Sequence, residues 1–446
     1  MHTHHLSLSL SGKKTPTSAW IWLIALLFVP TLLTAQTAEE EIKANPLLAG
    51  SNYVAYIAPT TKLTPTPKGY EAFYLSHYAR HGSRWLCGSG EYSRPVNTMR
   101  KARRDGKLTA EGEAVLRILE QVQQTSIKRC GDLTTVGERQ HHGIGKRMAQ
   151  NFPSIFCNKN TQVDARSTIV RRCILSMIAE CEELAAANPK ARIHNDTSDT
   201  LQFYLNQDAT PRMQKIQQAL SKEESKWYYQ LYQPERLMRY LFTDSAYVRD
   251  SLGSRRSLMN QLFNVARSLQ GHDNFPQLLN LFTPEEIFNL WKFDTISWYC
   301  SYGAAQENPQ APFSQYNLLT NFLNTADTIT SSRTFYGATL RFGHEVCVLP
   351  LACLLELGDA AAKVSKADFD TLHHVWRNYQ IFPMASNIQL VFYRAKRPNQ
   401  PVLVKALLNE REQTIANLTP VSYPYYKWSD VEQYLRAKLA DYDRGN

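Results

Sequence analysis

Short apolar runs punctuate an otherwise amphipathic chain. Tyr70 to Leu75 alternates well enough to predict a strand, and the chain runs on from it into Arg80-His81-Gly82-Ser83-Arg84. Thr161 to Ala165, Ala338 to Phe342, Ile388 to Tyr393 and Val402 to Leu407 predict further strands. Helical spacing predicts helices over Gly106 to Gln124, Thr135 to Ala149 and about Ile169 to Ala187, the second opened by a capping box of Thr135 and Glu138. From about Asn195 to Ser332 the pattern changes to Leu-, Phe-, Trp- and Gln-rich segments with helical spacing and little strand character. Strands on either side of such a middle predict an α/β core carrying a helical insertion. Leu63 to Lys68, rich in Thr and Pro, predicts an extended lead-in, and no internal repeat is visible.

The N-terminus changes where this fold would work. Lys13-Lys14, an uncharged apolar run from Ala19 to Ala35 and then the acidic Glu39-Glu40-Glu41 follow the order of a secretory signal. The run is short for a membrane span and contains Pro30, so cleavage is expected and a retained anchor is not. The leader has no cysteine to take a lipid, and all eight cysteines lie beyond it. Disulfides fit an oxidising destination, but eight cysteines allow 105 pairings and the sequence alone assigns none. No paired Cys-x-x-Cys points to structural zinc. The formal charge of +10 leaves an anionic partner open, although a solvated basic surface explains the balance as well.

Three segments, each at the end of a predicted strand, carry the candidate chemistry. Arg80-His81-Gly82-Ser83-Arg84 places an imidazole between two guanidinium groups. Planar, permanently charged forks suit the oxygens of a phosphate monoester, and an imidazole nitrogen attacks phosphorus without first losing a proton. Asp164-Ala165-Arg166-Ser167-Thr168 adds an arginine, with Arg172 six residues after Arg166. Arg341-Phe342-Gly343-His344-Glu345 adds a second imidazole and a carboxyl.

In this order the segments resemble the acid phosphatase and phytase branch of the histidine phosphatase superfamily, from about Tyr70 to Leu408. Leu133-Thr134-Thr135-Val136-Gly137-Glu138-Arg139-Gln140 is similar to that branch's helix start. Phe382-Pro383-Met384-Ala385-Ser386-Asn387 and Leu407-Leu408-Asn409-Glu410 look most like the multiple inositol polyphosphate phosphatases. The resemblance implies an α/β fold: a histidine-phosphatase-like core sheet flanked by helices, with an inserted, mainly helical cap. With the N-terminal signal and the change of pattern, the chain divides into a signal peptide over 1–36, core over 37–194, cap over 195–332 and core again over 333–446. The resemblance and the leader imply a periplasmic or secreted phosphomonoesterase working through a phosphohistidine, with inositol polyphosphates such as phytate as substrates. His81 would be the nucleophile, Arg80, Arg84 and Arg166 would clamp phosphate with His344 as a further donor, and Glu345 would protonate the leaving alkoxide. No metal or cofactor, no nucleic acid, no membrane anchor and a monomer are expected. A broad acid phosphatase and a catalytically weakened phosphate-ester-binding protein are the alternatives; export and Arg84 count against the mutase-type branch.

Two departures bear on rate. Glu345 follows His344 directly, where the inositol polyphosphate branch usually has His-Ala-Glu and the other branch has aspartate, so its carboxyl is one methylene longer and could overshoot. Trp85-Leu86 follows Arg84 where many relatives place a proline second, which bears on loop rigidity. His141-His142 and His373-His374 are expected to be surface or partly buried polar residues and not metal ligands, Arg172 leans towards a structural role, and Trp227 and Trp298 are expected in the core. Lys101, Arg103 and Arg104 either widen a positive field or form a solvated face.

Overall fold

The computed structural model describes residues 36–445; apart from its last residue, the leader expected over 1–36 lies outside them. Eight strands form one mixed sheet: β1 (Tyr70–Arg80), β2 (Gln162–Ser167), β3 (Arg192–Thr197), β4 (Gly337–Gly343), β5 (Asn387–Ala395), β6 (Leu403–Leu408), β7 (Arg411–Gln413) and β8 (Tyr426–Lys427). Their order is β3-β2-β4-β1-β5-β6-β7, with β8 also paired to β6. The β3-β2-β4-β1 half is parallel, and β1 then pairs antiparallel with β5, as β5 does with β6. β1 is buried over its last nine residues, as a central strand covered on both faces should be.

The helices that matter below are α1 (Ala38–Ala44), α2 (Ser89–Arg104), α3 (Ala110–Ser126), α4 (Thr135–Asn151), α5 (Arg171–Ala187), α6 (Arg255–Ser268), α7 (Pro284–Tyr302), α8 (Tyr316–Thr330), α9 (Glu345–Leu354) and α10 (Trp428–Asp443). α4 and α5 close one face of the sheet through Ile144, Met148, Cys173 and Met177 against Leu75, Ala165 and Leu340. α8, α9, α10 and the end of α7 cover the other. A third apolar cluster joins α1, α2 and α3 to α6 and the first half of α7, and takes in Trp85 and Leu86. The helices between 199 and 330 therefore divide between that lobe and the sheet. Trp227 is buried in the sheet-facing core, with Trp298 packed against it.

Several elements differ from the sequence expectation for local reasons. β3 was not predicted because an edge strand needs no apolar face, and this one is mostly exposed. α2 is polar on average and contains Pro95, which hides it from pattern reading. The N-cap of α4 is Thr134, not Thr135: the Thr134 hydroxyl accepts from Gly137 N, while Thr135 donates to Asp273. Among the described residues no helix is long and apolar enough to cross a membrane.

Candidate active site

β1 ends at Arg80, and His81 begins a turn held on every side. His81 N donates to Gly343 O and Ala385 N donates to His81 O, each at 3.0 Å, so the neighbouring segments grip the backbone of His81. Gly82 N donates to Ser176 Oγ on α5. Ser83 O accepts from both N and Oγ1 of Thr134, while the Gln140 side chain accepts from Ser83 N and donates to Ser83 Oγ. The loop and the start of α4 approach so closely that neither glycine tolerates a side chain. A Cβ on Gly82 would lie 2.3 Å from Gly137 O, and one on Gly137 would lie 2.2 Å from Ser83 O. The Leu133–Gln140 motif is thus the clasp of the 81–84 loop. Phe382–Asn387 is the other: Arg80 N donates to Ser386 O, and Arg80 Nη1 to Phe382 O. Asn409 supports that segment in turn through Asn387 and the carbonyls of Gln380 and Ile381.

The imidazole of His81 is fully buried and its Nδ1 contacts Gly82 O at 2.9 Å, which assigns the proton to Nδ1 and leaves a lone pair on Nε2. Burial, followed by the charges of Arg172, Arg80, His344 and Arg84, holds its pKa well below the usual value, so the ring is neutral. Arg80 is also fully buried, its pKa lowered to about 10 chiefly by burial. Arg84 lies over the Tyr53 ring at 5.2 Å. His81 Nε2, Arg80 Nη2, Arg84 Nε and Arg172 Nε are buried without a hydrogen-bond partner. Three guanidinium groups with free buried donors around one free imidazole nitrogen form a site for an oxyanion.

Arg172, which the sequence left leaning to a structural role, bears on both histidines. Arg172, on the first turn of α5, is the largest charge acting on both His81 and His344, and it donates to Gly131 O. Arg166 pairs with Asp164 at 2.7 Å and donates to Tyr204, its Nε is buried without a partner as that of Arg172 is, and it lines a groove of about 720 Å³ with Arg192, His194 and Thr325. It is not among the charges that act most strongly on His81, His344 or Glu345.

His344 caps α9 and faces His81 with ring centroids 5.5 Å apart; burial and then Arg172 push its pKa down to about 4. Glu345 opens α9. Its Oε2 lies 3.0 Å from Arg80 Nε and 3.7 Å from His81 Nε2, and its Oε1 accepts from Asn52. The longer side chain folds back onto the reacting locus. Burial would raise its pKa, but Arg80 and Arg84 outweigh burial and hold it at about 2. Asn52, whose carbonyl also accepts from Arg80, comes from the 3-10 segment Pro46–Tyr53, and no sequence signal marked it. The donor atoms of His81, His344 and Glu345 lie within 4.8 Å of one another, a spacing a metal could use. The arginine charges bearing on the same atoms favour an anion instead.

Comparison with known proteins decides the family. The profile of the histidine phosphatase superfamily (branch 2) matches residues 79–409. The chain belongs to that superfamily. The branch and the fold make it a phosphomonoester hydrolase. The multiple inositol polyphosphate phosphatase of Bifidobacterium longum, in complex with inositol hexasulfate, is 19% identical with a TM-score of 0.73, over 88% of this chain and 98% of that one. The phytase of D. castellii is 14% identical with a TM-score of 0.67, over 94% and 90%. Hafnia alvei phytase in complex with tartrate is 11% identical with a TM-score of 0.51, over 83% and 98%. A search of curated proteins returned no match.

A second cluster of two histidines and a glutamate lies one layer beneath this histidine phosphatase site. His77, on β1, precedes His81 by four residues, two pleat repeats, and His141 and Glu180 lie one helical turn beyond the two residues, Gly137 and Ser176, that touch Gly82. All three are fully buried. His141 Nδ1 contacts Glu180 Oε1 at 2.7 Å, and His77 Nε2 is 3.9 Å from Glu180 Oε2. Burial raises the Glu180 pKa and lowers that of His77 to about 3. His141 is therefore not a surface residue; its neighbour His142 is partly exposed against Glu182 and Glu183. His373 is buried beside Phe288. Arg103 pairs with Glu120 and Lys101 donates to Ser251 O, so this basic run belongs to a solvated face.

Proposed function

We propose that this chain is an exported phosphomonoesterase that hydrolyses organic phosphate esters, inositol polyphosphates foremost, through a phosphohistidine at His81. The observation that carries the reading is the free Nε2 of a neutral, buried His81 among the unpartnered donors of Arg80, Arg84 and Arg172. A largely dissociative phosphoryl transition state asks mainly for positioning and for positive charge at three equatorial oxygens. The three arginines supply that charge and His344 adds a hydrogen-bond donor, while His81 Nε2 bonds to phosphorus in line with the departing alkoxide.

Glu345 is the proton donor. In the free enzyme it is ionised against Arg80. A phosphate dianion competes for that guanidinium and brings like charge beside the carboxylate, and both effects raise its pKa until it takes a proton. It then protonates the leaving oxygen, and as a carboxylate it activates the water that hydrolyses the phosphohistidine. Inositol polyphosphates as substrates are supported by the names of the two structural relatives that align best here and by the basic chain. The apolar leader supports export.

The test is phosphate release from phytate and from an aryl phosphate between pH 3 and pH 7. Release from both, with phytate favoured, is expected; no release from either by folded protein would refute the reading. A second reading, a phosphate-ester-binding protein with weak turnover, is favoured by the ion contact that parks Glu345 on Arg80. Tight phosphate binding without release would select it.

A further inference from the structure

Two cysteines bracket the arginine clamp. Both are free thiols in the structure: Cys87 is exposed, three residues after Arg84, and Cys130 is partly buried in the turn from Arg129 to Asp132. The two segments run antiparallel. Arg84 bridges Leu133, Thr134 N donates to Ser83 O, Trp85 N to Asp132 O, and Gly131 N to Leu86 O. The next step of that register sets Cys87 opposite Cys130. The approach is close, since a Cβ on Gly131 would lie 4.0 Å from both Cα and Sγ of Cys87. The Cys130 thiol, raised mainly by burial, also feels the charge of Cys87.

Each side of this pair is attached to a clamp arginine. Gly131 O accepts from Arg172 Nη1 at 3.3 Å, and Cys87 is near enough to Arg84 for its thiolate charge to act on that guanidinium. Leu86 N donates to the Tyr92 hydroxyl at 2.7 Å, which fixes the backbone between Arg84 and Cys87.

We propose that Cys87 and Cys130 form a disulfide that staples the Arg84 segment to the turn holding Arg172, and that this bond tightens phosphate binding. The effect on phosphate rests on the function proposed above; the bond itself does not. An external disulfide is the oxidant. The Cys87 thiolate attacks one of its sulfurs and expels a first thiolate, leaving a mixed disulfide. The Cys130 thiolate then attacks the Cys87 sulfur and expels the second. One S–S bond is broken and one formed, the external disulfide gains two electrons, and the two cysteine protons end on the two released thiols. Joining residues 87 and 130 also closes a loop that restricts the unfolded chain, so the oxidised form should melt several degrees higher.

The test exposes the folded protein to oxidised or reduced glutathione, then maps peptides without reduction and measures inhibition by inorganic phosphate. The expected result is a cross-linked peptide pair containing Cys87 and Cys130, and an inhibition constant about 3- to 10-fold lower in the oxidised form. C87S/C130S should lose this response, and C157S, at the other exposed cysteine, should keep it. Two alkylatable thiols at 87 and 130 after oxidation would overturn the bond. A mapped bond with the same inhibition constant in both redox forms would overturn its effect on the clamp. A mapped bond in a protein that binds no phosphate in either form would count against the proposed function and leave the bond standing.

Discussion

Two clusters of identical composition lie one layer apart on β1: His81, His344 and Glu345 at the strand's end, and His77, His141 and Glu180 beneath. Three arginines surround the upper one, leaving His81 Nε2 free and Glu345 ionised at a pKa of about 2. On the lower one arginine charge acts less: Arg341 on His77 and Arg147 on Glu180, each behind burial and the cluster's own His141. Its glutamate is raised, its His77 is lowered to about 3, and its polar atoms are sealed between α4, α5 and the sheet. Residue type is therefore not what makes a site. The charge around the cluster and the access to it decide whether two histidines and a glutamate react or merely hold helices together.

The comparison breaks most sharply under paired substitution. His81→Ala should lower turnover by about 10⁴-fold or more while leaving the unfolding midpoint near that of the parent. His141→Ala should do the reverse: it strips a buried glutamate of its hydrogen bond, costs about 1–3 kcal/mol of stability and changes kcat of the folded protein only a few-fold. Steady-state kinetics and thermal melts on both variants check this, and equal losses of turnover would erase the distinction. Glu345→Gln should cost about 10²- to 10⁴-fold on alkyl phosphates and much less on aryl phosphates with good leaving groups; equal losses on both would remove Glu345 from the proton-donor role.

Arginines sharpen the contrast further. Arg172→Ala should lower kcat/KM by about 10²- to 10³-fold, as expected for the loss of one preorganised donor to the transferring group, whereas Arg166→Ala should change it only a few-fold. A larger loss at Arg166 would return that residue to the clamp. The smallest effect is on pH. Because burial and the arginines hold His81 well below its usual pKa, its neutral form persists into acid. Between pH 6.5 and about 5, kcat/KM should not fall. An acid limb centred near 6.5 would show a histidine of ordinary pKa in the nucleophile's place.

Much of the upper site was legible because its residues follow strand ends, and strands buried on both faces leave apolar runs that stop where the chemistry starts. His81, Arg80, Arg84, His344 and Glu345 all follow from that pattern. Arg166 and Arg172 were not separable from spacing, because the answer depends on which face of β2 a side chain takes and on how the first turn of α5 returns over the sheet edge. Asn52 reaches Glu345 from 29 positions before His81 along a 3-10 segment, a contact only the tertiary fold creates. The lower cluster was hidden for a similar reason: His141 and Glu180 meet only because α4 and α5 pack side by side.

The central claim is that the upper cluster forms a bond to phosphorus at His81. Rapid acid-free quenching of the enzyme during turnover of a phosphate ester, followed by peptide mapping, tests it most directly. One phosphoryl group on the peptide carrying His81, absent in His81→Ala, is the predicted result. Turnover by the parent enzyme with no phosphorylated intermediate, or with the phosphoryl group on another residue, would contradict it.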